Sequence, residues 1–241
     1  MEKNFEVFDT AEKLAEELAH QLKESVNKHN GNFCLAISGG STPKIFFQRL
    51  AEQPFNNEIE WNKVHFFWCD ERCVPSDDPE SNFGMTKTIL FDKIKIPQEN
   101  IHRIKGESDP SEETVRYVNE IENIVPKREN TLPRFDWVML GMGEDGHTAS
   151  LFPDKKLLFV FSNIAGVAQH PQTSQKRISL TTDVLNNAKR ITFVVTGKNK
   201  AKILSEILNG LPISKNYPSA QIKPTNGTID WMIDKEAAFY L

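Results

Sequence analysis

"GNFCLAISGGSTPKIFFQRLAE", Gly31–Glu52, runs from an apolar segment through a glycine-rich turn into a helical pattern. Phe33–Ile37 is apolar without alternation and is bounded by Gly31 and Gly39. A strand with one wet face alternates, whereas a strand covered on both faces does not. The run is therefore read as a buried strand. A helix over Pro43–Glu52 follows. Pro43 suits its first turn, and Ser41 or Thr42 is the side chain able to cap it. Gly39 and Gly40 carry no side chains, so their N–H groups can approach an anion at a helix amino terminus. Taken alone, the same residues also make an ordinary tight turn.

The unit repeats in both directions along the chain. Thr10–Asn30 reads as a helix, with Leu14, Leu18, Leu22 and Val26 at i+4 and Gly31 where a C-cap glycine belongs. Strands are expected at Val64–Trp68, Ile101–Ile104, Phe135–Leu140, Ile191–Val195 and Thr228–Asp234. Helices are expected at Ser81–Phe91, Ser111–Ile124 and Lys198–Leu208. Apolar strands alternating with helices give an α/β fold, a mostly parallel sheet with helices on both faces. No repeat, low-complexity tract or linker divides the chain, so 1–241 is expected to be a single domain.

The 241 residues are 39% hydrophobic and 26% charged, enough to bury a core. A net charge of −4 gives no electrostatic case for nucleic acid. A small anionic ligand needs only a local cluster of Arg and Lys. The amino terminus lacks the basic and apolar regions of a signal peptide. No apolar run approaches the roughly 20 residues of a membrane span. Three cysteines without a secretion signal suit a reducing, cytoplasmic setting with free thiols. Cys69 and Cys73 form a lone C-x3-C with no second pair, so no metal is expected.

Four loops that follow strands are rich in glycine and polar residues: "SGGSTP", "CDERCVP", "GMGEDGH" and "TGKNKA". Open parallel sheets bind ligands beyond the carboxyl ends of their strands. That rule alone gathers Ser38, Asp70, Arg72, His147 and Lys200 on one edge. "SGGSTP" lacks the Walker A spacing. "GMGEDG" matches G-x-G-x-x-G, but it lies past mid-chain, and no strand ending in an acid follows about 20 residues later, so no dinucleotide cofactor is expected. Individually, "DER" reads as a solvated turn, Arg177 as a surface strand charge, Lys200 as an exposed helix residue, and the other five histidines as structural or surface groups.

Together, "LAISGGSTP", "FFWCDERCVPSDDPESNFGM", "FDWVMLGMGEDGHTASLFPD", "RISLTTDVLNNAKRITFVVTGKNKA" and "TIDWMIDKEAA" resemble the 6-phosphogluconolactonase family over nearly the whole chain. Related glucosamine-6-phosphate deaminases share the G-x-D-G-H core but continue with an "AFNEP"-like segment. Here His147 is followed by "TASLFP", the lactonase form. Beyond Asp154 the chain passes quickly through "KKLLFVFSNIAG", where many lactonases carry a longer segment with helical character.

The resemblance implies a modified Rossmann-like sheet, no cofactor, and hydrolysis of 6-phospho-D-glucono-1,5-lactone in the pentose phosphate pathway. It implies His147 as general base. It implies Arg72, Arg177 and Lys200 with Ser38, Gly39, Gly40, Ser41 and Thr42 around the phosphate, and Gly143 in the substrate loop. Asp70 matches an acidic position of the deaminases and is expected in the catalytic set, orienting hydroxyls or a base. The partner is a small phosphosugar lactone, with no nucleic acid and no membrane, for a monomer or small homo-oligomer. An imidazole, ordinarily with a pKa of about 6.5, can take a proton from water at neutral pH. A δ-lactone is activated enough for direct attack, and no G-x-S-x-G elbow supplies a nucleophilic serine. Two other classes remain: a sugar-phosphate isomerase or deaminase, which "TASLFP" disfavours, and a sugar-phosphate sensor. A sensor would need a DNA-binding module, and the helix before "FCLAI" is too little for one.

Overall fold

A computed structural model describes residues 4–127 and 132–241. In chain order its strands are β1 (Asn4–Phe8), β2 (Phe33–Ile37), β3 (Val64–Trp68), β4 (Asp70–Arg72), β5 (Ile101–His102), β6 (Trp137–Leu140), β7 (Phe159–Phe161), β8 (Ala165–Gln169), β9 (Lys176–Leu180), β10 (Arg190–Val195) and β11 (Thr228–Asp234). The helices are α1 (Ala11–Lys28), α2 (Ser41–Leu50), α3 (Phe55–Glu58), α4 (Asn82–Ile89), α5 (Pro110–Ile124), α6 (Thr182–Asn186), α7 (Ala201–Leu208) and α8 (Pro218–Gln221).

Seven strands form an all-parallel sheet in the order β1-β11-β10-β6-β2-β3-β5. The chain enters the centre at β2, builds outward through β3 and β5, then returns to the other side of β2 with β6. The strand order therefore reverses between β2 and β6, which pair with Ile37 opposite Met139. A crevice opens beyond the carboxyl ends at such a switch point, and here "SGGSTP" and "GMGEDGH" flank it. β2 and β6 are buried at every residue, as their unbroken apolar runs require. β1 is an edge strand, exposed at four of its five residues; its mixed sequence gives no apolar run to read.

The second sheet is a correction to the sequence reading. Four short antiparallel strands lie in the order β4-β9-β8-β7. "DER", read as a turn, is a strand because β9 pairs with it, setting Asp70 opposite Ser179 and Arg72 opposite Arg177. The short segment after Asp154, given no element from the sequence, supplies β7. Ala165, Ile178 and Leu180 of this sheet belong to the same buried cluster as Leu35, Trp68 and Phe193 of the parallel one.

Three local expectations also change. α2 begins at Ser41, so its cap is Gly40, at φ 114°, and no side chain caps it. Thr42 instead shares a 2.7 Å hydrogen bond between its Oγ1 and that of Thr196, tying the loop after β2 to the loop after β10. α1 is capped by Thr10, whose Oγ1 accepts from the Lys13 N–H, and ends at His29, leaving Gly31 two residues beyond the C-cap. Among the described residues no helix is long and apolar enough to cross a membrane.

Candidate active site

The loops after β2, β3, β6 and β10 close around a cavity of about 200 Å³. All eleven residues singled out from the sequence line it: Ser38 to Thr42, Asp70, Arg72, Gly143, His147, Arg177 and Lys200. Pro43, Asn82, Gly141, Met142 and Ala149 complete the wall.

His147 sits in a loop that is braced from three directions. The Gly143 N–H donates to the His147 carbonyl at 2.9 Å, and the Gly146 N–H to the Gly143 carbonyl at 3.1 Å. The Gly146 carbonyl accepts from both the N–H and the hydroxyl of Ser219 in α8, at 3.1 and 2.8 Å. The Tyr217 ring fills the space where a Cβ on Gly146 would stand, and Gly146 holds φ 81°. A Cβ on Gly143 would stand 2.1 Å from Nδ1 of His147, so a glycine is needed for the ring to lie where it does. The loop does not lead into a helix; it closes with a Thr148–Leu151 bridge. The helix amino terminus that a dinucleotide pyrophosphate would use is missing from this turn.

Nδ1 of His147 lies 2.6 Å from Oδ1 of Asp145, which also accepts the His147 N–H at 3.1 Å. Burial raises the Asp145 pKa, but the hydrogen bond and charge of His147 outweigh it and hold the carboxyl below its ordinary value. An ionised carboxylate accepts only, so Nδ1 carries the proton and Nε2 keeps its lone pair. Sequence reasoning left Asp145 without a role. The signal was present in the two-residue spacing of "DGH".

Cationic groups line the cavity. Arg72 and Arg177 face each other directly across the β4–β9 ladder, a placement that is unfavourable for like charges unless something neutralises them. Arg72 donates through Nη1 to the Glu80 carbonyl at 2.5 Å, yet among the described residues the buried Nε atoms of both arginines have no partner. Burial pushes the Arg177 guanidinium down from its usual range, with Asp70 pulling the other way. Burial likewise lowers the Lys200 ammonium against the pull of Glu144 and Asp234. Cations that are desolvated and short of acceptors are the complement of an anion.

Asp70 is buried, with Oδ2 accepting from the Ser150 hydroxyl at 2.7 Å. Its neighbour Glu71 faces away from the cavity role. It accepts from the N–H groups of Arg72, Asn82 and Phe83, each at 2.8 Å, and from the Ser81 hydroxyl at 3.1 Å, fastening α4 to β4. Phe152 backs the site, its ring 5.1 Å from that of His147 and 5.7 Å from the Arg177 guanidinium. Among the described residues, no group of three or more His, Cys, Asp or Glu side chains is placed to hold a metal ion. The three cysteines are free, and burial pushes the Cys34 thiol up to about 12.

The family model for glucosamine-6-phosphate isomerases/6-phosphogluconolactonase matches residues 7–231. A 6-phosphogluconolactonase of Haemophilus influenzae is 44% identical over 234 residues, covering 97% of this chain and 98% of that one. Among solved structures, the 6-phosphogluconolactonase of Trypanosoma brucei superposes with a TM-score of 0.87 at 25% identity, covering 99% of this chain and 98% of the other. A monomeric glucosamine-6-phosphate deaminase reaches a TM-score of 0.83 at 20% identity over 99% of this chain and 100% of the other, a likeness of fold alone.

Proposed function

Because the chain belongs to the family of glucosamine-6-phosphate isomerases and 6-phosphogluconolactonases, we propose that its cavity hydrolyses 6-phospho-D-glucono-1,5-lactone to 6-phosphogluconate, a step of the pentose phosphate pathway. The observation that carries this reading is the pairing of two functions in one cavity. On one side is an imidazole whose Nε2 keeps its lone pair. On the other are Arg72 and Arg177, opposed across a ladder, with buried Nε atoms unpartnered among the described residues.

In this mechanism Arg72, Arg177, Lys200 and the N–H groups at the start of α2 hold the 6-phosphate, and Gly39 and Gly40 allow its close approach. Holding that end sets the lactone carbonyl beside His147. Water attacks the carbonyl carbon as Nε2 takes one of its protons, and the carbonyl oxygen becomes an oxyanion. The turn at Gly141 and Met142, which lines the same cavity, supplies main-chain N–H groups for that charge. The tetrahedral centre collapses, the bond from C1 to the ring oxygen breaks, and the proton on Nε2 passes to that oxygen, which becomes the C5 hydroxyl. Asp145 holds the imidazole in the right tautomer and stabilises its charged form between the two transfers. Asp70 takes an orienting part: Ser150 fixes one of its oxygens, and its charge bears on Arg177.

We read 1–241 as one domain, since one buried cluster runs through both sheets. We place the protein in the cytoplasm as a monomer or small homo-oligomer; its three free cysteines support the reducing compartment. The test is titration of the acid released from the lactone, corrected for spontaneous opening, beside a parallel assay with glucosamine 6-phosphate. Turnover of the lactone and none of the amino sugar is expected. The reverse pattern would replace this reading with the deaminase one.

A further inference from the structure

Asn82 carries a polar atom that the mechanism above leaves unused. It is the first residue of α4, is 2% exposed and lines the cavity. Its Nδ2 donates to the main-chain carbonyl of Asp70 at 2.9 Å. A carbonyl oxygen only accepts, so this bond fixes which end of the amide is nitrogen and turns Oδ1 away from Asp70. Oδ1 lies against Gly39, where an added Cβ would stand 1.8 Å from it. Among the described residues it accepts no hydrogen bond.

The residue is also held firmly. Its N–H donates to Glu71 at 2.8 Å, and its carbonyl accepts from the Thr86 hydroxyl at 2.8 Å. A rigid acceptor on a residue that lines a cavity calls for a donor from the ligand. A phosphate oxygen cannot serve, since it offers lone pairs to a lone pair. A hydroxyl can.

We propose that Oδ1 of Asn82 accepts a hydrogen bond from a ring hydroxyl of the bound lactone, making Asn82 a specificity-determining residue for a polyhydroxylated substrate. This rests on the lactonase reading. The lactone offers hydroxyls on C2, C3 and C4. A site built around such a bond discriminates against an analogue that lacks the hydroxyl, because the protein acceptor is then covered by the ligand and left unpaired.

The experiment measures kcat/KM for the unmodified protein and for Asn82→Ala on the full lactone and on its 2-deoxy, 3-deoxy and 4-deoxy forms. The unmodified protein is expected to lose about 10- to 100-fold on one of the three. Asn82→Ala is expected to lose a similar factor on the full lactone and little more on that same deoxy form, so the two losses fail to add. A packing role would lower all four substrates by a common factor, and that result would overturn the proposal. So would equal rates of the unmodified protein on all three deoxy lactones, which needs no folded variant. Failure of the unmodified protein to exceed spontaneous opening of the full lactone is a different result: it removes the lactonase reading and this inference with it.

Discussion

The 2.6 Å contact between Asp145 and His147 determines which imidazole nitrogen is free to take a proton. Replacing His147 with Ala is expected to lower kcat by about 10²–10⁴ while leaving affinity for a phosphosugar largely intact, because the cations proposed to hold phosphate come from other segments. If His147 is the base, activity of the unmodified protein is expected to fall in acid, where an imidazolium cannot accept a proton, and the variant should lose that acid limb. Near-normal kcat with a lowered thermal midpoint would instead make His147 a packing residue. Asp145→Asn is the sharper probe. An amide can donate to Nδ1 as well as accept from it, so part of the population would carry its proton on Nε2 and be unable to act as base. Turnover is expected to fall with KM little changed, and an unchanged kcat would show that the tautomer does not matter. Arg177 is tested by selectivity. Charged hydrogen bonds contribute about 1.5–3 kcal/mol, so Arg177→Ala should weaken turnover of the phosphorylated lactone about 10- to 150-fold. Hydrolysis of unphosphorylated gluconolactone should change far less, and equal losses would place Arg177 outside phosphate binding.

At the scale of elements, the β4–β9 ladder and α4 set much of the wall opposite His147, and Glu71 joins them. Its carboxylate accepts four hydrogen bonds, two at each oxygen. In Glu71→Gln one oxygen becomes an NH2 group, and either orientation sets it against at least one main-chain N–H. With a buried group left unpaired in this way, a loss of about 2–3 kcal/mol is expected in denaturant unfolding at constant m-value. A loss below a few tenths would mean that the clamp is not needed. The two strands of that ladder were the least legible in the sequence, whereas α4 was expected as a helix over Ser81–Phe91. β2, β6 and β10 announce themselves because both faces are buried and the apolar run is unbroken. "DER" does not, because three polar residues become a strand only when Lys176–Leu180 lies alongside, more than a hundred positions away. Arg72 and His147 could be placed near the ligand by the rule of strand ends. Arg177 could not, since the register that sets it against Arg72 is a tertiary fact, and only the family resemblance singled it out. Asn82 was hidden in the same way, inside a helix start that reads as local capping.

At the scale of the whole molecule, two acid sensitivities are expected from different elements of the fold, one of turnover and one of stability, and they are separable. The edge of the parallel sheet at β3 and β5 carries a polar chain. Nδ1 of His65 lies 3.0 Å from Nε2 of His102, whose Nδ1 lies 2.8 Å from Glu120 of α5, itself paired with Arg116. Burial and then the charge of His102 lower the His65 pKa from 6.5, against a smaller upward pull from Glu99. Burial raises the Glu120 pKa, but the hydrogen bonds from His102 and Arg116 outweigh it and leave the carboxyl below its ordinary value. For His65 the unfolded chain binds the proton more readily, so its contribution is intact above pH 6.5 and is lost as pH falls from there through the folded value. For Glu120 the contribution is intact above 4.5 and is lost as pH falls below it. Stability is therefore expected to drop in two stages on acidification, the first belonging to His65. Substituting His65→Gln removes a titrating group at a half-buried position. The thermal midpoint of that variant should fall less between pH 7.5 and 5.5 than that of the unmodified protein, while the acid limb of kcat stays in place. His147→Ala should do the opposite, keeping the stability loss and discarding the kinetic limb. Parallel slopes of midpoint against pH in His65→Gln and the unmodified protein would show that the sheet edge takes no part in the first acid loss.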